Sequence, residues 1–231
     1  MSIHAVVEPI TMTRPVPQPV ADQPLSQQAY QAVLAMLVGG SLQPNEVVTE
    51  RQIAEQLGMS RTPLREAVRR LEGERLLERQ RSGALVVRPL PVDEFMQILA
   101  VRRLLEGESV RLAAARAPRA ELEALRTRIR KVARLSASEP TPEFAASDND
   151  LHLLIAQASG NPVLEQMIAD LRRRTAMFRF GRLPSRRGDV CAEHLAIIDA
   201  LLAGDAKAAQ AAMLAHIDEV RGVMLARLAG H

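Results

Sequence analysis

Residues 48–90, VTERQIAEQLGMSRTPLREAVRRLEGERLLERQRSGALVVRPL, hold two short helical patterns joined by a three-residue turn and followed by two β-prone runs. Thr49 and Gln52 have capping-box spacing at the head of a helix over 50–57, in which Ile53, Ala54 and Leu57 point one way. Gly58 supplies the left-handed residue that ends it. A second helix over 61–73 starts on Ser60 or Thr62, with Pro63 in the first turn, where a missing amide proton costs nothing. Leu64, Ala67, Val68 and Leu71 form its buried stripe, and Arg61, Arg65 and Arg69 line up beside that stripe at four-residue intervals. This is the pattern of a helix-turn-helix. LLERQ and ALVVR on either side of RSG then read as a hairpin wing.

Residues 61–81 carry seven arginines and four glutamates, so a solvated, self-neutralising helix face is one reading of the charge. Placement favours another. Three arginines face outward on the second helix, where guanidinium groups reach guanine O6 and N7 bidentately while others neutralise phosphates. The net charge of +3 would not imply nucleic acid by itself. Aromatic residues make up only 2% of the chain, which argues against modules that stack single-stranded bases and leaves duplex DNA as the expected partner.

Five prolines between residues 9 and 24, with no amphipathic pattern, mark residues 1–23 as a flexible tail. A helix over 26–38 follows, stopped by Gly39-Gly40, and it opens a DNA-binding domain over 24–90. Past Pro91 six helical runs are expected, over 92–116, 118–137, 141–158, 162–181, 185–203 and 205–229. Short connections make neighbours antiparallel, so residues 91–231 should form an all-α bundle. The fold class is therefore mainly α, a winged helix-turn-helix followed by an antiparallel bundle. A single cysteine, Cys191, excludes a disulfide framework, and with no basic start and apolar core at the N-terminus and no long apolar run, neither a signal peptide nor a membrane span is expected. The expected location is the cytoplasm.

The segment TERQIAEQLGMSRTPLREAVRRLE with the wing RSGALVV resembles the winged helix-turn-helix of GntR-type bacterial transcription regulators. The resemblance implies that Arg51, Arg61, Thr62, Pro63, Arg65 and the wing residue Gly83 lie at the DNA, with Arg61 and Arg65 nearest the bases. It also implies a homodimer on a palindromic operator, associated with the nucleoid of a bacterial cell. Two positions depart from the family pattern: Asn45 follows Pro44 where glycine is usual, and Arg75 stands where glycine usually precedes Leu76.

Within the bundle, Asp148 and His152 are four residues apart and share a helix face. His194 lies ten residues before Gly204 and His216 eleven after Asp205, so antiparallel helices turning there bring the two histidines level. A lone bundle histidine is ordinarily a hydrogen-bonded core residue. Three that converge with an aspartate suit a divalent transition metal, Zn²⁺ first, with Ni²⁺, Mn²⁺ or Fe²⁺ as alternatives. The same four residues match the metal-binding version of the FCD ligand-sensing domain in the FadR-type branch of the GntR family, with Leu151 in place of the usual aromatic before the first histidine. That resemblance implies a small organic-acid effector met by an arginine of the first bundle helix, Arg102, with Arg103 as the rival position. The favoured reading is a ligand-responsive regulator, and a repressor, which is the commoner arrangement in the family. A metal-dependent enzyme fused to a DNA-binding module and a sensor of the metal itself are the alternatives. Against the enzyme, no His-Glu-x-x-His helix or other ready general base accompanies the ligands.

Overall fold

The computed structural model describes residues 23–134, 141–176 and 187–229. The chain divides into two units, Met1–Arg88 and Pro89–His231. The tail expected over residues 1–23 lies almost wholly outside the described residues.

In the first unit α1 spans Leu25–Gly39, β1 Val47–Val48, α2 Glu50–Leu57, α3 Arg61–Gly73, β2 Leu77–Arg79 and β3 Leu85–Val87. The capping box forms: the Thr49 side chain accepts from the Gln52 amide and the Gln52 side chain accepts from the Thr49 amide. Gly58 closes α2 at φ 62°. Ser60 precedes α3 with extended backbone and without a side-chain cap. Helix α3 packs against α1, and Leu64, Val68 and Leu71 of α3, Val33 and Met36 of α1 and Leu85 and Val87 of β3 are all buried.

The wing has one strand more than the sequence suggested. Val47 and Val48 pair antiparallel with Val86 and Leu85, so β3 runs between β1 and β2. A two-residue strand carries too little periodicity to be read from sequence. Asn45 brings the chain in with φ 66° and donates its amide to the Val87 carbonyl at 2.8 Å. Arg75 has φ 59° at the turn from α3 into the wing. Both positions where the sequence departs from glycine therefore sit in the left-handed region, which asparagine tolerates and arginine does not favour.

In the second unit α4 spans Val92–Ala113, α5 Arg119–Ala133, α6 Pro142–Ala158, α7 Pro162–Ala176, α8 Arg187–Leu202 and α9 Ala206–Leu228. The first run ends three residues earlier than 116, because the amides of Arg116 and Ala117 both turn back to the Ala113 carbonyl ahead of Pro118. Residues 135–137, 177–181 and 185–186 of the expected runs lie outside the described residues. Helix α4 packs against α6, α7 and α9, while α8 packs against α5 and α9. The core contains Phe95, Leu99, Ile129, Leu151, Ile155, Ile198, Met213 and Ile217. Leu151, at the position where an aromatic is usual, is fully enclosed in it. Among the described residues no helix is long and apolar enough to cross a membrane.

Candidate functional site

In the first unit the outward face of α3 presents Arg61, Thr62, Arg65 and Arg69 to solvent, and Pro63 is half-buried in the first turn. The Arg65 side chain is 54% exposed and its Nε lies 3.5 Å from Glu50. Arg51, on α2, pairs along its own helix with Glu55 at 3.0 Å. Gly83 forms the tip of the wing at φ 85°, and its amide donates to the Gln80 carbonyl at 2.9 Å. Arg79 escaped the sequence reading. From β2 it reaches Glu50 at 2.8 Å and Glu72 at 3.0 Å, which ties the wing to α2 and α3. Nothing in the local sequence marks that network, because its members are 29 and 7 residues apart.

In the second unit Asp148 and His152 come from α6, His194 from α8 and His216 from α9. One potential ligand atom from each lies within 4.8 Å of all the others. The His194 and His216 rings are 4.8 Å apart between centroids, and His152 lies 5.5 and 5.3 Å from them. All three histidines are buried. The turn at Gly204, with φ 71°, folds α9 back along α8 and makes the last two histidines neighbours.

Outer atoms of three of the four residues are held, and two inner nitrogens are not. The His152 Nδ1 meets Glu106 Oε2 of α4, and the His216 Nδ1 meets Glu193 Oε2 at 2.8 Å. Arg172 of α7 donates to Asp148 Oδ2 at 2.6 Å. Turned inward, His152 Nε2 and His194 Nε2 are buried without a hydrogen-bond partner, at 3.9 and 3.4 Å from Asp148 Oδ1. Buried polar atoms ordinarily find partners, so two converging orphaned nitrogens beside a carboxylate oxygen fit a divalent cation held by nitrogen and oxygen. Carboxylates on the far side of ligand imidazoles are also what such sites use to orient them.

The electrostatics agree with that fit. Burial lowers the His152 pKa to about 4, and Arg172 adds to the effect against the pull of Glu106. Burial, and then His216, hold His194 well below the ordinary imidazole value. Both rings are thus neutral near pH 7, the form that binds metal. Burial would raise the Asp148 carboxyl, but Arg172 and the three imidazoles outweigh it and keep the carboxyl ionised well below the usual range. Burial also works against ionised Glu106, and Arg102 with His152 overcomes it.

Arg102 is 8% exposed. Its Nε donates to Glu106 Oε1 at 2.6 Å, and a terminal nitrogen donates to Thr175 of α7 at 3.0 Å. The rival, Arg103, pairs instead with Asp218 of α9 at 2.8 Å and is about one-third exposed. Of the two, Arg102 is the one that joins the histidine cluster, through Glu106. Sequence reasoning missed Glu106, Arg172 and Glu193. Glu106 offered a signal, its four-residue spacing from Arg102, but that spacing is also the commonest pattern of a solvent-exposed helix ion pair.

Residues 25–87 match the model of the bacterial regulatory proteins of the gntR family, and residues 97–219 match the FCD domain model. The chain is 30% identical over 226 residues to the "Putative L-lactate dehydrogenase operon regulatory protein" of Escherichia coli (strain K12), covering 87% of this chain and 86% of that one. It is 29% identical to the Glc operon transcriptional activator of the same strain, covering 86% and 88% of the two chains. Identity is also 29% with the HTH-type transcriptional regulator LutR of Bacillus subtilis (strain 168), over 82% and 96%. Among solved structures, E. coli McbR/YncC superposes with a TM-score of 0.77 at 22% identity, over 89% of this chain and 99% of the other, a likeness of fold.

Proposed function

The chain belongs to the gntR family of bacterial regulatory proteins and is a transcription regulator with an FCD domain; from that premise we propose that its operator binding is controlled by a small carboxylate held beside a divalent metal in the helical bundle. The observation that carries this reading is the pair of buried, unpartnered nitrogens, His152 Nε2 and His194 Nε2, facing Asp148 with Arg172 and Arg102 close by.

Asp148, His152, His194 and His216 hold the metal, one per chain, with Zn²⁺ the first choice and Ni²⁺, Mn²⁺ or Fe²⁺ as alternatives. A cation accepting five or six ligands leaves a place for an effector oxygen. The second effector oxygen takes a charge-assisted bond from Arg102, a planar donor suited to carboxylates. Arg172, already engaged by a carboxylate, stands as its neighbour. On the DNA side a homodimer presents two copies of α3 to a palindromic operator in the cytoplasm, in association with the nucleoid. Arg61 and Arg65 read base edges, while Arg51, Thr62, Pro63 and Gly83 fix the backbone contacts. The effector weakens operator binding because it prefers one of two bundle packings, and equal affinity for both would change nothing. We assign the sign of regulation as repression relieved by ligand.

The test is operator binding by the purified protein against a panel of mono- and dicarboxylates, with metal content measured in the same samples. A relative named for an L-lactate dehydrogenase operon makes L-lactate the first acid to try. Wild type should carry one metal per chain and release DNA with at least one acid, while Arg102→Ala should need a higher concentration of that acid. His194→Ala and His216→Ala should lose the metal. Release by the metal alone would make this a metal sensor, and equal metal content in wild type and both histidine variants would leave the histidines as core packing. One relative is named an activator, so transcription from the operator is measured beside binding to read the sign.

A further inference from the structure

The carboxylate of Glu106 is shared between two neighbours with different roles. Oε1 accepts from Arg102 Nε at 2.6 Å, and Oε2 faces His152 Nδ1. Glu106 is 2% exposed and His152 1%, so water does not substitute for either partner. With Arg102 and Arg172 beside it, the carboxylate is ionised and can only accept hydrogen bonds. The proton of the neutral His152 ring must therefore sit on Nδ1. The opposite arrangement, with the proton on Nε2, would bury a donor whose closest carboxylate oxygen, Asp148 Oδ1, is 3.9 Å away, while two acceptors faced each other across the Glu106 contact.

We propose that Glu106 is a positioning residue. It fixes the His152 tautomer and ring so that a bare Nε2 lone pair points at Asp148, His194 and His216 before any metal arrives. Helix α4 contributes no ligand to the group, and through Glu106 it nonetheless sets the donor that α6 offers. This role rests on the metal reading above. Losing an outer partner of this kind ordinarily costs metal affinity 10- to 100-fold, about the range expected here.

Removing Glu106 alone would strand the buried Arg102, so the comparison is made where that charge is gone. Arg102→Met is combined with Glu106→Gln in one protein and with Glu106→Leu in another. The two differ in one respect that matters, because glutamine keeps an oxygen that accepts from Nδ1–H and leucine does not. Co²⁺ affinity is measured for both beside wild type, and nitrogen-15 NMR reads the His152 tautomer in the metal-free proteins. We expect the Nδ1–H tautomer in wild type and in the glutamine protein, a shift towards Nε2–H in the leucine protein, and Co²⁺ binding at least tenfold weaker with leucine than with glutamine. An Nε2–H tautomer in metal-free wild type, or equal Co²⁺ affinity in the two double variants, would overturn the role. Wild type that binds no Co²⁺ would sink the metal reading, and the positioning role with it. If the leucine protein fails to fold, the wild-type tautomer and the glutamine protein still decide the matter.

Discussion

Arg172 reaches from α7 to the α6 carboxylate of Asp148 at 2.6 Å, and its other terminal nitrogen lies 4.0 Å from Glu106 of α4. One buried guanidinium thus faces two carboxylates from two helices. Asp148 keeps Oδ1 turned towards the histidines while Oδ2 is engaged. Replacing Arg172 by methionine should leave Asp148 and Glu106 undercompensated. Breaking a buried pair costs about 3–5 kcal/mol. Because the Asp148 side chain is 32% exposed, water screens part of the loss, and about 1–3 kcal/mol is expected in metal-free protein. Urea denaturation with and without Zn²⁺ checks this, and the metal should recover part of the deficit. An Arg172→Met protein as stable as wild type without metal would mean that the pair contributes nothing net.

Metal-free protein should lose stability as the pH falls below 6.5. His152 titrates at about 4 in the folded state, and His194 is also depressed, against an ordinary value of 6.5. Well above 6.5 the rings are neutral in both states and stability is flat. Below it the unfolded chain takes up protons that the folded one refuses, which favours unfolding by about 1.4 kcal/mol per pH unit for each ring. From pH 6.5 to 4.5 His152 alone should cost about 2 kcal/mol. The depressed carboxyls of Asp148 and Glu106 contribute only at lower pH, as their unfolded forms begin to protonate. Thermal unfolding of chelator-treated protein across that window checks the sign, and a midpoint rising with acidity would contradict it.

Arg65→Ala should cost roughly 1–3 kcal/mol of discrimination between operator and scrambled DNA, the value of one good base contact. Arg65 is solvent-exposed and only loosely held by Glu50, so the fold should not suffer. Competition binding at fixed salt, with circular dichroism on the same samples, is the measurement. Unchanged preference would move base reading to other residues. A loss equal on both DNAs would make Arg65 a phosphate contact.

Arg75→Gly should stabilise the first unit. An L-residue at φ 59° carries a cost of about 1–2 kcal/mol that glycine does not, and glycine returns about 0.5–1 kcal/mol of it as extra freedom of the unfolded chain. A net gain of roughly 0.5–1 kcal/mol is expected. Arg75 is exposed, so little packing is given up. A rise in the unfolding midpoint without loss of operator binding checks it. A fall would mean that the arginine makes a compensating contact.

Local order was legible from the chain alone. Helices α2 and α3 fall where Thr49, Gln52, Gly58 and Pro63 place them, because a capping box, a left-handed stop and a first-turn proline act within a few residues and need no tertiary partner. Counting also set the four bundle residues two by two, while their meeting as one group depended on the packing of α6 beside α8. A fixed rise per residue sets His194 and His216 level about the Gly204 turn, and one helical turn sets Asp148 beside His152. What surrounds those residues was decided only by packing. Glu106 lies 46 residues before His152, Arg172 lies 24 after Asp148, and Arg79 lies 29 after Glu50. A charged side chain carries no mark of whether folding will bury it. Glu106 pairs with Arg102 at a spacing that describes a surface ion pair as readily as an interior one, and only the closure of α6, α7 and α9 around α4 turned that pair into the inner wall of a site.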